Sequence, residues 1–175
     1  RRREAALELT VSPPLPHGVE GTALGYVVAL SVSDPAERTR FVFASDVQGP
    51  LSSVAAAYLM KERPTLLYVS GPPSYLERDL GTALVERGID NLLRLIETTG
   101  CRVIMDHYAI RAARFTERFA RLWETGRVST AAEYLGLEAA PLECRRNRLW
   151  ATARKPPARA SNARAIMTRE PRTFA

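Results

Sequence analysis

Phe41-Val42-Phe43-Ala44-Ser45-Asp46-Val47-Gln48-Gly49-Pro50 reads in two parts. The first four residues, rich in aromatic and β-branched side chains, predict a strand that suits a half-buried sheet. Gly49 and Pro50 then turn the chain. Leu51, Val54, Ala55, Tyr58 and Leu59 fall on one face of a predicted helix over residues 51–61. Strand, turn and helix in that order place Asp46 at the carboxyl end of a strand. Open α/β sheets gather their ligand sites there. The alternative reading of Asp46 is a plain cap on the helix that follows.

Upstream, Glu4 to Val11 alternates imperfectly and reads as a strand, and Leu24 to Val32 reads as a buried one. Between them, the prolines at 13, 14 and 16 place His17 on a rigid loop. Asp34 to Glu37 turns the chain, so residues 24–45 predict a hairpin. Downstream, Thr65 to Ser70 is a short apolar run, typical of a strand covered on both faces. Gly71-Pro72-Pro73 breaks it. A helix over 83–99 ends at Gly100, and Cys101 to Met105 is the next strand, closing on Asp106-His107-Tyr108. Residues 109–124 have the spacing of one amphipathic helix. Thr130 and Glu133 form a capping-box pair, and residues 141–153 predict a last helix.

The chain has 175 residues, 46% of them hydrophobic, and a formal charge of +6. That suits one domain, read as residues 1–153, with a basic tail over 154–175. From Arg145 to Ala175 there are nine Arg or Lys and one acid, +8, so residues 1–144 carry −2. The tail reads as flexible and as a surface for nucleic acid. No run is long and apolar enough for a membrane helix, and no membrane partner is expected. Cys101 and Cys144 have no metal-ligand spacing and read as buried free thiols, which points to a reducing, cytoplasmic compartment. The chain begins at Arg1 without Met, so an upstream segment is expected.

Three strand ends carry polar groups: His17, Asp46 and Asp106-His107. Two imidazoles and carboxylates at one sheet edge would offer nitrogen and oxygen ligands to a metal. The plainer readings are a loop histidine and a hydrogen-bonded Asp-His pair.

Several segments resemble the second half of the metallo-β-lactamase superfamily, and within it a mainly archaeal family of metallo-hydrolase-like proteins. They are PLPHGVEGTALGYVV (Pro14 to Val28), FASDVQGP (Phe43 to Pro50), GPPSYL (Gly71 to Leu76), VIMDHYAIR (Val103 to Arg111), STAAEYLG (Ser129 to Gly136) and LECRRNRL (Leu142 to Leu149). The resemblance implies an α/β fold, part of an αββα sandwich, with the tail outside it. It implies His17, Asp46 and His107 as ligands of a divalent metal, zinc first, with iron or manganese as alternatives. Asp46 would bridge two metals and act in catalysis with the phenol of Tyr108. Ser45, Gln48, Gly71 and Asp106 would support the ligands or meet the substrate. The activity implied is metal-dependent hydrolysis of a phosphodiester or ester.

Two departures stand beside this. The superfamily's His-x-His-x-Asp-His motif is absent, and Tyr108 and Ala112 occupy positions where the relatives carry a histidine and an acid. The expected partners are therefore an upstream half or a second copy of the chain. The alternative function is a non-catalytic module that binds RNA, a ribosome or another nucleic-acid assembly.

Overall fold

Six strands pair in the order β1-β4-β5-β6-β7-β8 in the computed structural model, which describes residues 7–153. They are β1 (Glu8–Val11), β4 (Leu30–Asp34), β5 (Thr39–Ala44), β6 (Leu66–Val69), β7 (Arg102–Met105) and β8 (Val128–Thr130). β2 (Leu15–Pro16) and β3 (Tyr26–Val27) form a separate two-stranded ribbon. The helices are α1 (Ser53–Glu62), α2 (Glu77–Leu80), α3 (Thr82–Thr99), α4 (His107–Ile110), α5 (Phe115–Arg118), α6 (Ala120–Trp123), α7 (Ala131–Tyr134) and α8 (Arg146–Thr152). The class is mixed α/β. β1, β4 and β5 run antiparallel, and β5 to β8 run parallel. Each parallel pair is joined through helix, as a parallel crossover requires.

Alternation along the strands decides which face is buried. Val42, Ala44, Leu67, Val69, Val103 and Met105 point to one face and are at most 1% exposed. They share one core with Ala55 and Leu59 of α1, with Val85, Ile89 and Leu92 of α3, and with Phe115, Phe119 and Leu122. Each Val, Leu, Ile, Phe or Met among them contributes roughly 1.5–3 kcal/mol by leaving water. Arg118 ties α5 to α2 and α3. Its Nε and Nη2 donate to the Glu77 carboxylate, both at 2.8 Å, and its Nη1 donates to Glu86 at 2.8 Å. The fork of the guanidinium matches the carboxylate and holds the Glu77 carboxyl below its ordinary range.

The hairpin expected over 24–45 is present between β4 and β5, with Leu30 opposite Phe43 and Asp34 opposite Thr39. The strand expected over 24–32 divides into β3 and β4. Leu24, Tyr26 and Val28 are exposed, because β3 leaves the main sheet to pair with β2. Pro16 takes part in that ribbon, where a missing N–H costs nothing at an edge. The helix expected over 109–124 is broken into α4, α5 and α6. Arg114 and Phe119 leave helical geometry, with ψ of 37° and 22°, while the apolar side chains keep their inward positions. β6 is fully buried on one face only. Leu67 and Val69 are buried, and Leu66 and Tyr68 are half-buried.

α1 is capped by Ser52, whose Oγ accepts from the amides of Val54 and Ala55, so Asp46 is not the cap. Glu20 adds to this end. Its Oε1 accepts from Ser52 Oγ at 2.8 Å, Ser53 N at 2.9 Å and Ser53 Oγ at 3.0 Å. Burial would raise this carboxyl, but those hydrogen bonds outweigh it and pull it from 4.5 to about 2. The resulting stabilisation is complete above the unfolded value of 4.5 and is lost as pH falls towards about 2. The Glu20→Gln variant is expected to cost about 1 kcal/mol at neutral pH, since the site is largely in solvent. Urea titrations at pH 7 and pH 3 check this: the difference between variant and wild type should shrink at the lower pH.

The chain divides into two compact units, one ending at Arg145 and the other starting at Arg146. Of the second, α8 lies among the described residues. The basic tail over 154–175, with its expected role towards nucleic acid, lies outside them. Cys101 is buried, and Cys144 is half-buried rather than buried; both are free thiols. Among the described residues, no helix is long and apolar enough to cross a membrane.

Candidate functional site

The carboxyl ends of β5, β6 and β7 lie side by side, because these strands are parallel and adjacent. Asp46 sits in the 3-10 turn Ser45–Val47 that leaves β5. Ser70 N donates to the Ser45 carbonyl at 2.9 Å, and Asp106 N donates to the Val69 carbonyl at 2.8 Å, so the three strand ends are tied together. Asp106 is the extended residue after β7, and His107 opens α4.

His107 lies between two carboxylates. Its Nδ1 is 3.0 Å from Asp106 Oδ2, and its Nε2 is 3.4 Å from Asp46 Oδ1. The side chains of His107, Asp46 and Asp106 are 30%, 43% and 25% exposed, so solvent and ligand can reach them. A carboxylate only accepts hydrogen bonds, so the contact with Asp106 requires the proton on Nδ1. In the neutral ring Nε2 then holds the lone pair, facing Asp46. The 3.4 Å gap is longer than a good hydrogen bond.

Tyr108 separates the two histidines. His17 Nε2 is 3.1 Å from the Tyr108 hydroxyl, and the His107 and Tyr108 rings are 4.3 Å apart. Burial raises the phenol's pKa first of all; the nearby Gln48 amide opposes this, and the Asp46 charge adds to it. Gln48 is buried and Gly49 follows it at φ 86°. Gly71, at φ 74°, is buried against Ala109, so its place is under α4 and not on an open surface.

Tyr75, Tyr68 and Arg111 join the site without having been singled out by sequence. The rings of Tyr75 and Tyr108 are parallel within 9°, with centroids 6.3 Å apart. Arg111 lies over both, its Cζ 5.3 Å and 5.2 Å from the two centroids, and its Nη1 donates to Tyr75 Oη at 3.0 Å. Its Nε is 3.8 Å from Glu143. Tyr68 lies near Asp106; burial first, then the Asp106 carboxylate, push its phenol to about 12. Arg111 falls within the helix expected over 109–124. The meeting of Arg111 with Tyr75 was not legible, since it depends on the loop after β6.

The three-residue metal set of His17, Asp46 and His107 is not met by this geometry. Among the described residues, no group of three or more His, Cys, Asp or Glu side chains is placed to hold a metal ion. His17 Nε2 is turned to the Tyr108 phenol, while His107 meets Asp106 through Nδ1 and keeps Nε2 towards Asp46.

The chain is similar to archaeal UPF0282 proteins. It is 43% identical over 126 residues to one from Aeropyrum pernix, covering 69% of this chain and 42% of that protein. It is 40% identical over 116 residues to one from Pyrobaculum islandicum (66% and 36%), and 36% identical over 111 residues to one from Methanocaldococcus jannaschii (63% and 37%). The chain thus spans about two fifths of the length of the curated relatives it matches. No family model and no solved structure matches it. The archaeal character expected from the sequence agrees with these relatives. The expected membership of the metallo-β-lactamase superfamily is corrected by them: their names carry no such relationship, and neither a family nor a structural match supplies one. The zinc and hydrolase labels that rested on that membership lose that support.

Proposed function

We propose that the carboxyl edge of β5, β6 and β7 carries part of a proton-transfer site, with His107 as the acid–base group. The observation that carries this reading is the placement of the His107 ring between Asp106 at 3.0 Å and Asp46 at 3.4 Å. Asp106 fixes the tautomer and orientation of the ring. Nε2 is left to take a proton from a ligand group beside Asp46 and to return it later. Positioned acid–base groups of this kind contribute about 10²–10⁴-fold to a rate. Tyr108, hydrogen-bonded to His17 and packed beside His107, is a second proton carrier there. Arg111 brings positive charge to the far side of Tyr108, which favours a ligand with an anionic or polarised oxygen. Polypeptide beyond this chain would complete the site, given the greater length of the relatives.

Cleavage of p-nitrophenyl acetate and of bis(p-nitrophenyl) phosphate by the product of the complete coding sequence tests the reading. Turnover above buffer is expected with at least one of them, and it should fall in Asp46→Asn and His107→Gln while the melting temperature stays within about 2 °C. Turnover indifferent to both substitutions, or none above buffer, would remove the proposal.

A further inference from the structure

One face of the main sheet is apolar and open. In register across β1, β4, β5, β6 and β7, Val11, Leu30, Phe43, Tyr68 and Ile104 form one row. Leu9, Val32, Phe41 and Leu66 form a second row beside it. These positions alternate with the residues of the helix-covered core, so they point the other way. Leu9 is 65% exposed, Val11 61% and Phe43 40%, and the remaining members apart from Ile104 are half-buried. Phe43 and Tyr68 stack with centroids 5.2 Å apart. A groove of about 450 Å³ runs over Val32, Phe41 and Leu66 to Arg102.

β5 to β8 run parallel, and parallel sheets are ordinarily covered on both faces. Apolar rows this wide on an exposed face mark a surface made for a protein layer. The chain makes up only 36% to 42% of the three relatives compared above, so more than half of each lies outside the match. That length is ample for another layer with an apolar inner side.

We infer that this face is covered, in a protein of the relatives' length, by an apolar-faced layer of that protein's own polypeptide from outside the present segment. The cover would close over Phe43 and Leu66. It would also bury Tyr68, which lies near Asp106, so the layer and the site would share one side chain. The inference stands on the sheet and on the relatives' length, independently of the proton-transfer reading.

Thermal melts of two proteins, the 175-residue chain and the product of its complete coding sequence, test this with Phe43→Ala and the harsher Phe43→Asp. In the longer protein Phe43→Ala is expected to lower the melting temperature by at least about 5 °C, as for a buried aromatic. In the 175-residue chain the same change should shift it by about 2 °C or less, as for a surface position. Equal shifts in the two proteins would overturn the inference. So would a 175-residue chain that is a dimer by light scattering and becomes a monomer with Phe43→Asp, since a second copy would then be the cover. A coding sequence that adds no further layer would overturn it outright.

Discussion

Gly49→Ala is expected to destabilise the fold by about 3 kcal/mol or more, the largest single effect of any small substitution near the site. Two costs add. Gly49 has φ 86°, a region that L side chains rarely adopt. A Cβ there would also overlap Pro72 N and stand 2.6 Å from the Gly71 carbonyl carbon. Both neighbours are backbone, so no side chain can swing aside. The strain contributes about 1–3 kcal/mol and the overlap a similar amount. At about 2–4 °C per kcal/mol for a chain of this size, the melting temperature should fall by roughly 6–12 °C. Gly100 is the control. It has φ 70° but open space where a Cβ would go, so Gly100→Ala should cost only about 1 kcal/mol. Urea unfolding of both variants checks the difference. Equal costs would mean that the turn after β5 is looser than the structure has it.

His107→Gln is expected to reduce the turnover proposed above by about 10²–10⁴-fold while leaving the fold intact. The amide can keep a polar contact with Asp106, but it has no nitrogen able to take a proton at Nε2's place beside Asp46. His107 is 30% exposed and lies in a short helix, so the melting temperature should hardly move. Asp106→Asn is the informative companion. It leaves the imidazole in place and frees its tautomer, so it should lower turnover by a smaller factor and alter the pH profile. A loss equal to that of His107→Gln, accompanied by a lower melting temperature, would instead mark Asp106 as structural.

The strand-turn-helix reading of residues 41–61 was legible because each part has a local cause: β-branched and aromatic residues, then Gly49-Pro50, then an apolar helical face. The same local causes placed Asp46, Asp106 and His107 at one sheet edge. The helix over 109–124 was misread as continuous, since the inward spacing of Phe115, Phe119 and Leu122 is kept while the backbone breaks at Arg114 and Phe119. Leu24 to Val32 was misread as one buried strand because its apolar residues serve two different sheets. The metal reading paired residues by their places at strand ends. It could not foresee that Tyr108 stands between the histidines, nor that Asp106 holds the ring of His107. Arg111 and Tyr75 meet through the loop after β6, and pattern along the chain carries no signal of that contact. An upstream half or second copy beside the sheet was expected from the sequence, but a short apolar run does not say which of its residues face outward, so the two open rows were not legible.

The most direct test of the central claim is the protonation pattern of His107, read by nitrogen-15 NMR of the imidazoles. The chain contains two histidines, so His17→Gln assigns the signals. The ring of His107 should carry its proton on Nδ1, slow to exchange with water, and Asp106→Asn should abolish that protection. An Nε2–H ring in fast exchange, unchanged by Asp106→Asn, would contradict the account.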